Sequence, residues 1–224
     1  MAIKNILVPV GDIVYDESAI GTALMVALCF GGHADCVFIR GDMAEVLPAS
    51  ALGLFEAVHV ELKDEYEHDR LEKQILARKR FDEMLEENNI EYRESALPAQ
   101  LPSCSWEVLD GMPSKIVASR GGAYDMVVVG RPLSEQTTLG EVAAEAALFR
   151  TGRPVMIAPP DTPKSIGEAV VIGWNKSTSS ARSVAAALPI LELSRSVTIV
   201  NVMTGAKQGP PPVSYTHLTL PTKA

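Results

Sequence analysis

The chain has 224 residues, of which 47% are hydrophobic and 21% charged, and its formal net charge is −8. This is the composition of a globular protein with one sizeable core, or with one domain and part of another. The acidic balance, without a cluster of Lys and Arg, argues against nucleic acid as a partner, because neutralising phosphates requires such a cluster.

The amino-terminal residues show no charged segment followed by a long apolar stretch and a cleavage site, so we expect no signal peptide. No apolar run approaches the 18 or more residues that a membrane span requires, which predicts a cytoplasmic protein with no membrane partner. Cys29, Cys36 and Cys104 show neither even pairing nor C-x-x-C spacing. We therefore expect buried free thiols, in preference to a metal or redox role.

The first apolar run, at residues 6–10, predicts a short buried strand. Gly11 and Asp12 end it, which places Asp12 at the carboxyl end of the strand, either as a turn residue or as a ligand contact. From Asp16 or Ser18 an apolar pattern runs to the glycines at 31–32 and predicts a buried helix with a glycine stop. Residues 34–39 predict the next strand, which completes a right-handed βαβ unit.

Residues 42–60 are poorly patterned and predict an irregular or partly helical segment. Residues 61–87 predict a long amphipathic helix, because the ladder 71, 75, 78, 81 and 85 is apolar except at Arg78. Asp69 and Lys73 form an i,i+4 pair on this helix. Its dense charge predicts a solvated outer face; a surface for a dedicated protein partner is the alternative.

The elements that follow continue the alternation of strands and helices. We expect a strand at 91–97, a loop at 98–105, a helix at 113–119 stopped by glycines at 121–122, a strand at 126–130, a helix at 141–149 and a strand at 154–158. The first 160 residues thus predict an α/β fold with a doubly wound, five-stranded parallel sheet.

The stretch 125–141 reads as a strand, a polar loop and a helix N-terminus, with Gly130 and Gly140 at its two junctions. Ligands of open parallel sheets bind at the carboxyl ends of the strands, and helix N-termini favour anions. Any small-molecule site is therefore expected here first. The alternative is that Gly130 only ends the strand and Gly140 only gives a tight entry to the helix.

After a proline-rich linker at 159–163 the opening pattern returns, with a strand at 169–175, a helix at 180–188 and a strand at 197–202. A repeat of this length indicates a tandem duplication, of which one βαβ unit is present. We expect domains at 1–160 and, partial, at 168–204, with a linker at 161–167. The partial domain must pack on the first domain, pack on another chain or stay loose, because one βαβ unit buries too little surface. Residues 213–224 resemble a translated sequencing adapter, which predicts a non-native or disordered tail at 205–224.

These segments resemble the universal stress protein (UspA) family, in particular its tandem-domain members. The resemblance rests on the strands at 6–10 and 125–130, the glycine at 140, the strand ending at 153–158 and the second opening at 172–175, and it covers roughly residues 3–204. It implies a Rossmann-like, adenine nucleotide alpha-hydrolase-like sheet in the order 3-2-1-4-5. It also implies pairing through the fifth strand, 154–158, either in a homodimer or between domains of one chain.

Some members of the family bind ATP through an aspartate after strand one and a loop of the form G-x2-G-x9-G-[ST]. In this chain Gly130 and Gly140 fit the first and third glycines, but Leu133 replaces the second and Glu141 the Ser or Thr. The spacing is three residues short of the pattern, and Asp12 comes one position late.

These departures indicate a degenerate nucleotide loop. Leu133 and Pro132 obstruct the approach of backbone N–H groups to phosphate, and Glu141 repels it. We therefore expect a stress-response interaction or regulatory protein with no certain cofactor. The alternative is an ATP-binding module with at most slow ATP hydrolysis, using Asp12, Gly130, Arg131, Thr138 and Gly140.

No other catalytic pattern is evident in the sequence. There is no G-x-S-x-G motif and no visible Ser-His-Asp arrangement. His33, His59 and His68 lack the spacing of metal ligands and are expected on the surface or in loops, and His217 receives no role. We expect a protein that is not an enzyme, with slow ATP hydrolysis as the one alternative.

Overall fold

The computed structural model describes residues 3–41, 61–94, 102–131 and 139–201, with side chains for all of these except 61–67 and 139. The chain divides into two compact units, one spanning Ile3–Pro163 and the other containing the residues from Lys164 onward. The segment 42–60, the loop 132–138 and the tail 205–224 of the sequence analysis lie outside the described residues.

The first unit alternates strands and helices along the chain. Its described strands are β1 (Asn5–Val10), β2 (His33–Gly41), β3 (Glu91–Tyr92), β4 (Ser103–Gly111), β5 (Met126–Val129) and β6 (Val155–Ile157). Its described helices are α1 (Ile13–Phe30), α2 (Glu61–Asn88), α3 (Pro113–Arg120) and α4 (Leu139–Arg150).

The six strands form one sheet in the order β3-β4-β2-β1-β5-β6, and every neighbouring pair is parallel. Without the two-residue β3 at its edge, the sheet has the order 3-2-1-4-5. The α/β fold class is therefore confirmed, with six strands instead of five.

The third main strand is where the sequence prediction was wrong. The strand expected at 91–97 is reduced to β3, and the loop expected at 98–105 overlaps β4, which begins at Ser103. Two prolines and three polar residues made this stretch read as a loop. In the fold, Ser103 and Ser105 are buried and hydrogen-bonded to residues of β2, so tertiary partners decide that this stretch is a strand.

The sheet is covered on both faces. On one face Leu7, Val37 and Val127 pack in a core with Val117 of α3 and Ala147 of α4. On the other face the rings of Phe38 and Trp106 stack at 5.8 Å, and Phe81 of α2 lies 4.9 Å from Trp106. The sheet is therefore a buried layer between two helical layers, as parallel sheets require.

Helix α2 has the predicted length, and the predicted ion pair between Lys73 and Asp69 is present at 3.0 Å. The predicted apolar ladder is only partly correct. Phe81 is buried, but Leu71 and Ile75 are 50% and 60% exposed. Among its described side chains, the buried apolar ones lie in the carboxyl-terminal half of α2, at Ala77, Phe81, Met84 and Leu85.

Helix α1 is the central helix of the unit and is largely buried, as predicted. It is also long and apolar enough to span a membrane by length and composition, with a mean hydropathy of 1.5, which corrects the expectation that no such segment exists. In this fold 61% of that segment is buried inside the protein. Cys29 near its end is exposed, against expectation, whereas Cys36 and Cys104 are buried free thiols.

The two predicted glycine stops differ. Gly31 ends α1 in the left-handed conformation, with φ of 58°, as expected. Gly121 has φ of −57°, so the backbone continues from α3 into a 3₁₀ turn at Gly121–Ala123 instead of stopping there.

The second unit contains one described βαβ motif. Its elements are β7 (Ala169–Gly173), α5 (Thr178–Leu193) and β8 (Ser196–Val200), and the two strands pair in parallel with Ala169 opposite Ser196. Ser177 caps α5 by accepting a hydrogen bond from the Ser180 N–H at 3.0 Å.

Candidate functional site

The candidate site lies at the carboxyl ends of β1 and β5. These strands are parallel neighbours, with Ile6 opposite Met126, so the residues that follow them lie at the same edge of the sheet. Gly11 and Asp12 follow β1, and Gly130 and Arg131 follow β5. This is the crevice that the sequence analysis selected.

Asp12 is the N-cap of α1. Its Oδ1 accepts a hydrogen bond from the Val14 N–H at 3.0 Å, and its Oδ2 lies 3.6 Å from Lys73 Nζ. The predicted start of α1 at Asp16 or Ser18 was therefore too late by about one turn, since the helix begins at Ile13. A carboxylate that caps the first turn is held by its own backbone.

Asp16 is the residue that the sequence analysis missed as a member of this site. It is 4% exposed, and its Oδ2 accepts hydrogen bonds from the N–H groups of Gly11 at 2.7 Å and Asp12 at 3.0 Å. Burial raises the pKa of Asp16 to about 6, although the two N–H donors act in the opposite direction. An acidic residue in the first turn of a helix, where the helix dipole favours negative charge, is the sequence signal that could have indicated it.

Gly130 is required by close packing between the two strand ends. A Cβ atom at this position would lie 2.8 Å from the Tyr15 carbonyl oxygen and 3.0 Å from Asp16 Oδ1. The end of β5 therefore lies against the first turn of α1, and the Asp16 carboxylate lies between them.

The remaining predicted site residues are only partly described. Arg131 is exposed, Gly140 lies in the first turn of α4, and Thr138 lies outside the described residues. Glu141 follows Gly140 in the same turn, where its charge complements the helix dipole. Asp12 and Gly130 are brought together at one crevice, whereas the loop that would complete a phosphate cradle is not described.

Charged side chains from α2 also reach this edge of the sheet. Burial alone would lower the pKa of Lys73, but its hydrogen bond to Asp69 and the charge of Asp12 outweigh burial and raise that pKa. Arg70 donates to the Arg40 carbonyl at 2.7 Å, and Arg40 pairs with Asp110 at the ends of β2 and β4. The positive charges of α2 at this edge therefore already have carboxylate or carbonyl partners.

A second polar cluster lies at the opposite end of the sheet. His33 is 4% exposed, with its Nδ1 2.8 Å from Ser103 Oγ and its Nε2 3.0 Å from Asp35 Oδ1. Burial alone would raise the pKa of Asp35, but hydrogen bonds from His33 and Ser105 outweigh it and hold that pKa below its ordinary value. Since Asp35 is then an acceptor, His33 Nε2 donates to it, and Nδ1 shares the second hydrogen bond with the Ser103 hydroxyl.

This cluster corrects two expectations. His33 is a buried core residue and not a surface one, and a serine, a histidine and an aspartate do come into hydrogen-bond contact. The serine is buried at the amino end of its strand, so no substrate carbonyl can reach it, and the cluster reads as a satisfied polar network within the core. His68 is exposed on α2 as expected, and His59 lies outside the described residues.

Among the described residues, no group of three or more His, Cys, Asp or Glu side chains is arranged to hold a metal ion. The sequence analysis named no metal ligands.

No family model and no curated protein matches the sequence. The fold is similar to that of solved universal stress proteins. A universal stress protein from Archaeoglobus fulgidus DSM 4304 matches with a TM-score of 0.54 and 14% identity, over 84% of this chain and 62% of that chain. The universal stress protein UspA from Lactobacillus plantarum matches with a TM-score of 0.48 and 14% identity, over 71% of this chain and 99% of that chain.

A universal stress protein in complex with cAMP also matches, with a TM-score of 0.41 and 11% identity, over 72% of this chain and 100% of that chain. At 14% identity, the likeness to the Archaeoglobus fulgidus structure, with its TM-score of 0.54, establishes the fold alone. The structural neighbours are thus the universal stress proteins that the sequence resembles, and function has to be argued from the residues.

Proposed function

We propose that this chain is a universal stress protein of the regulatory, protein-interacting kind, whose first unit acts without ATP. The observation that carries the proposal is a set of exposed apolar side chains on α4 and on β6, the strand at one edge of the described sheet. Phe149 at the end of α4 is 80% exposed, and Leu148 beside it and Ile157 on β6 are about half exposed. Exposed aromatic and aliphatic side chains next to an unpaired strand are typical of an interaction surface.

Strand β6 is the natural site of pairing. It is hydrogen-bonded to β5 on one side and ends the described sheet on the other. A second copy of the chain that adds its own β6 would satisfy this edge and cover Phe149 and Ile157. We therefore propose a homodimer through residues 154–158; the prediction drawn from the sequence was pairing through this strand, either in a homodimer or between domains of one chain.

The dimer is tested by light scattering on the full chain after size exclusion. We expect a dimer for the wild type, a monomer for Ile157→Lys and a dimer for the control Leu76→Lys, whose residue is equally exposed but lies on α2. A monomeric wild type, or an Ile157→Lys variant that stays dimeric, would contradict the proposed interface.

Two features of the crevice support the proposal that the first unit acts without ATP. The Asp12 carboxylate already caps α1, and the packing at Gly130 leaves no room for even one methyl group. Together with the shortened glycine spacing, this disfavours a triphosphate at the ends of β1 and β5. We also propose a cytoplasmic location, in keeping with the burial of the apolar helix α1 in the core.

The second candidate function is an ATP-binding module with at most slow hydrolysis, using Asp12, Gly130, Arg131, Thr138 and Gly140. Its supporting observation is that Arg131, which follows β5 at the crevice, is exposed and carries the positive charge that a phosphate would require. A thermal-shift titration with ATP and Mg²⁺ decides between the two. The proposed function predicts no rise in melting temperature at millimolar ATP, because a ligand that binds only the native state must stabilise it.

A further inference from the structure

The crevice between the ends of β1 and β5 contains an anion that belongs to the protein itself. The N–H groups of Gly11 and Asp12 converge on one carboxylate oxygen of Asp16, at 2.7 and 3.0 Å. Two adjacent backbone N–H groups at the start of a helix are the donors that a ligand phosphate would use. In this chain both N–H groups already donate hydrogen bonds to the Asp16 carboxylate.

The same carboxylate also reaches the neighbouring strand. Its other oxygen, Oδ1, lies 3.0 Å from the position that a Cβ atom of Gly130 would occupy. The Asp16 carboxylate therefore lies between the ends of β1 and β5, and its 4% exposure shows that little solvent reaches it there.

Starting the helix does not require this second carboxylate. Asp12 already caps α1 through its own side chain, which bonds the Val14 N–H. Burying a charged group opposes folding unless something compensates for it. A second, buried carboxylate therefore costs more free energy than capping the helix requires. The arrangement is better explained by what it keeps out of the crevice.

We propose that Asp16 is an intramolecular anion that occupies the place of a ligand phosphate at the end of β1 and thereby closes the crevice to phosphorylated ligands. The inference rests on the proposed function only in taking this crevice as the place where a nucleotide phosphate would otherwise bind. It makes Asp16, which no family pattern named in the sequence analysis, the residue that decides ligand specificity at this edge.

The test replaces the charge and keeps the shape. Asp16→Asn leaves an oxygen for the Gly11 and Asp12 N–H groups but removes the negative charge. We expect its affinity for inorganic phosphate and for ATP, measured by isothermal titration, to exceed that of the wild type by on the order of tenfold or more. The control Glu145→Gln removes one charge from an exposed position on α4 and should bind like the wild type.

An Asp16→Asn variant that is folded and binds phosphate no better than Glu145→Gln would overturn the proposal. Should this variant not fold, the wild type provides a second measurement by amide NMR. Adding inorganic phosphate should leave the Gly11 and Asp12 N–H resonances unchanged. A saturable shift of both resonances would show that phosphate displaces the Asp16 carboxylate from these N–H groups, and it would contradict the proposal.

The two proposals can fail separately. ATP binding by the wild type that leaves the Gly11 and Asp12 resonances unmoved would refute ATP independence while Asp16 keeps its role. If the wild type does not bind ATP and the Asp16→Asn variant binds phosphate no better than Glu145→Gln, the proposed role of Asp16 is refuted and ATP independence is not.

Discussion

Replacing Asp16 with Asn should make the first unit more stable at neutral pH. The residue is buried, and burial raises the pKa of its carboxyl group from 3.8 to about 6. A folded-state pKa above the unfolded value means that the folded state binds the proton more tightly. The stability from this group is fully present below about pH 4 and is lost as the pH rises through about 6.

The size of the effect follows from the two pKa values. With a pKa of 3.8 in the unfolded state and about 6 in the folded state, linkage lowers the free energy of unfolding by about 2 kcal/mol between roughly pH 4.5 and pH 7. Over the whole pH range the decrease is about 3 kcal/mol. Asn carries no charge at any of these pH values. The stability of Asp16→Asn relative to wild type should therefore grow by about 2 kcal/mol from pH 4.5 to pH 7.

The assay is urea unfolding at several pH values and constant ionic strength. The chain has two tryptophans, so a Trp174→Phe background leaves Trp106 to report on the first unit. Asp35, whose pKa is lowered in the fold, contributes a pH dependence of opposite sign, but it is common to both proteins and cancels in the difference. The control Glu145→Gln should show no pH-dependent difference.

A stability difference between Asp16→Asn and wild type that stays flat with pH would refute this reasoning. So would a variant that is less stable than wild type at pH 7, because the hydrogen bonds to the charged carboxylate would then outweigh its desolvation.

Three further predictions concern other residues of the first unit. Gly130→Ala should destabilise the first unit by about 1–3 kcal/mol in urea, because its Cβ would lie 2.8 Å from the Tyr15 carbonyl, whereas Gly122→Ala has room and should cost less. His33→Phe should cost about 2–4 kcal/mol in the same assay, since it leaves the partly buried Asp35 carboxylate without one of its donors and the buried Ser103 hydroxyl without its partner, and a cost below about 1 kcal/mol would contradict the polar network. Glu141→Ser should raise the affinity for ATP in a calorimetric titration; an unchanged affinity would make loop length the obstacle.

Asp12 and Asp16 illustrate how one short segment can remove a ligand site without changing the fold. Asp12 provides the side-chain cap of α1, and Asp16 takes the backbone N–H groups that precede it. Each interaction is local, within five residues of sequence, so the closed crevice forms together with the first turn of the helix. The sheet around it keeps the order expected of the fold.

Much of the fold could be predicted from the sequence because its signals are local. The apolar runs at β1 and β5 are continuous, as buried parallel strands require, and α1 carries a glycine stop that the structure confirms at Gly31. The alternation of these elements determines an α/β sheet, since parallel strands need a crossover and the crossover is right-handed.

What only the tertiary structure decided involves polar groups whose partners are distant in the sequence. Ser103 begins a central strand because His33, seventy residues earlier, bonds its hydroxyl, and no local pattern contains that information. The role of Gly130 likewise depends on a carbonyl and a carboxylate at the start of α1. A polar residue that the sequence pattern assigns to a loop can be buried in the core only when it has a hydrogen-bond partner there. The packing of the sheet determines which residue that partner is.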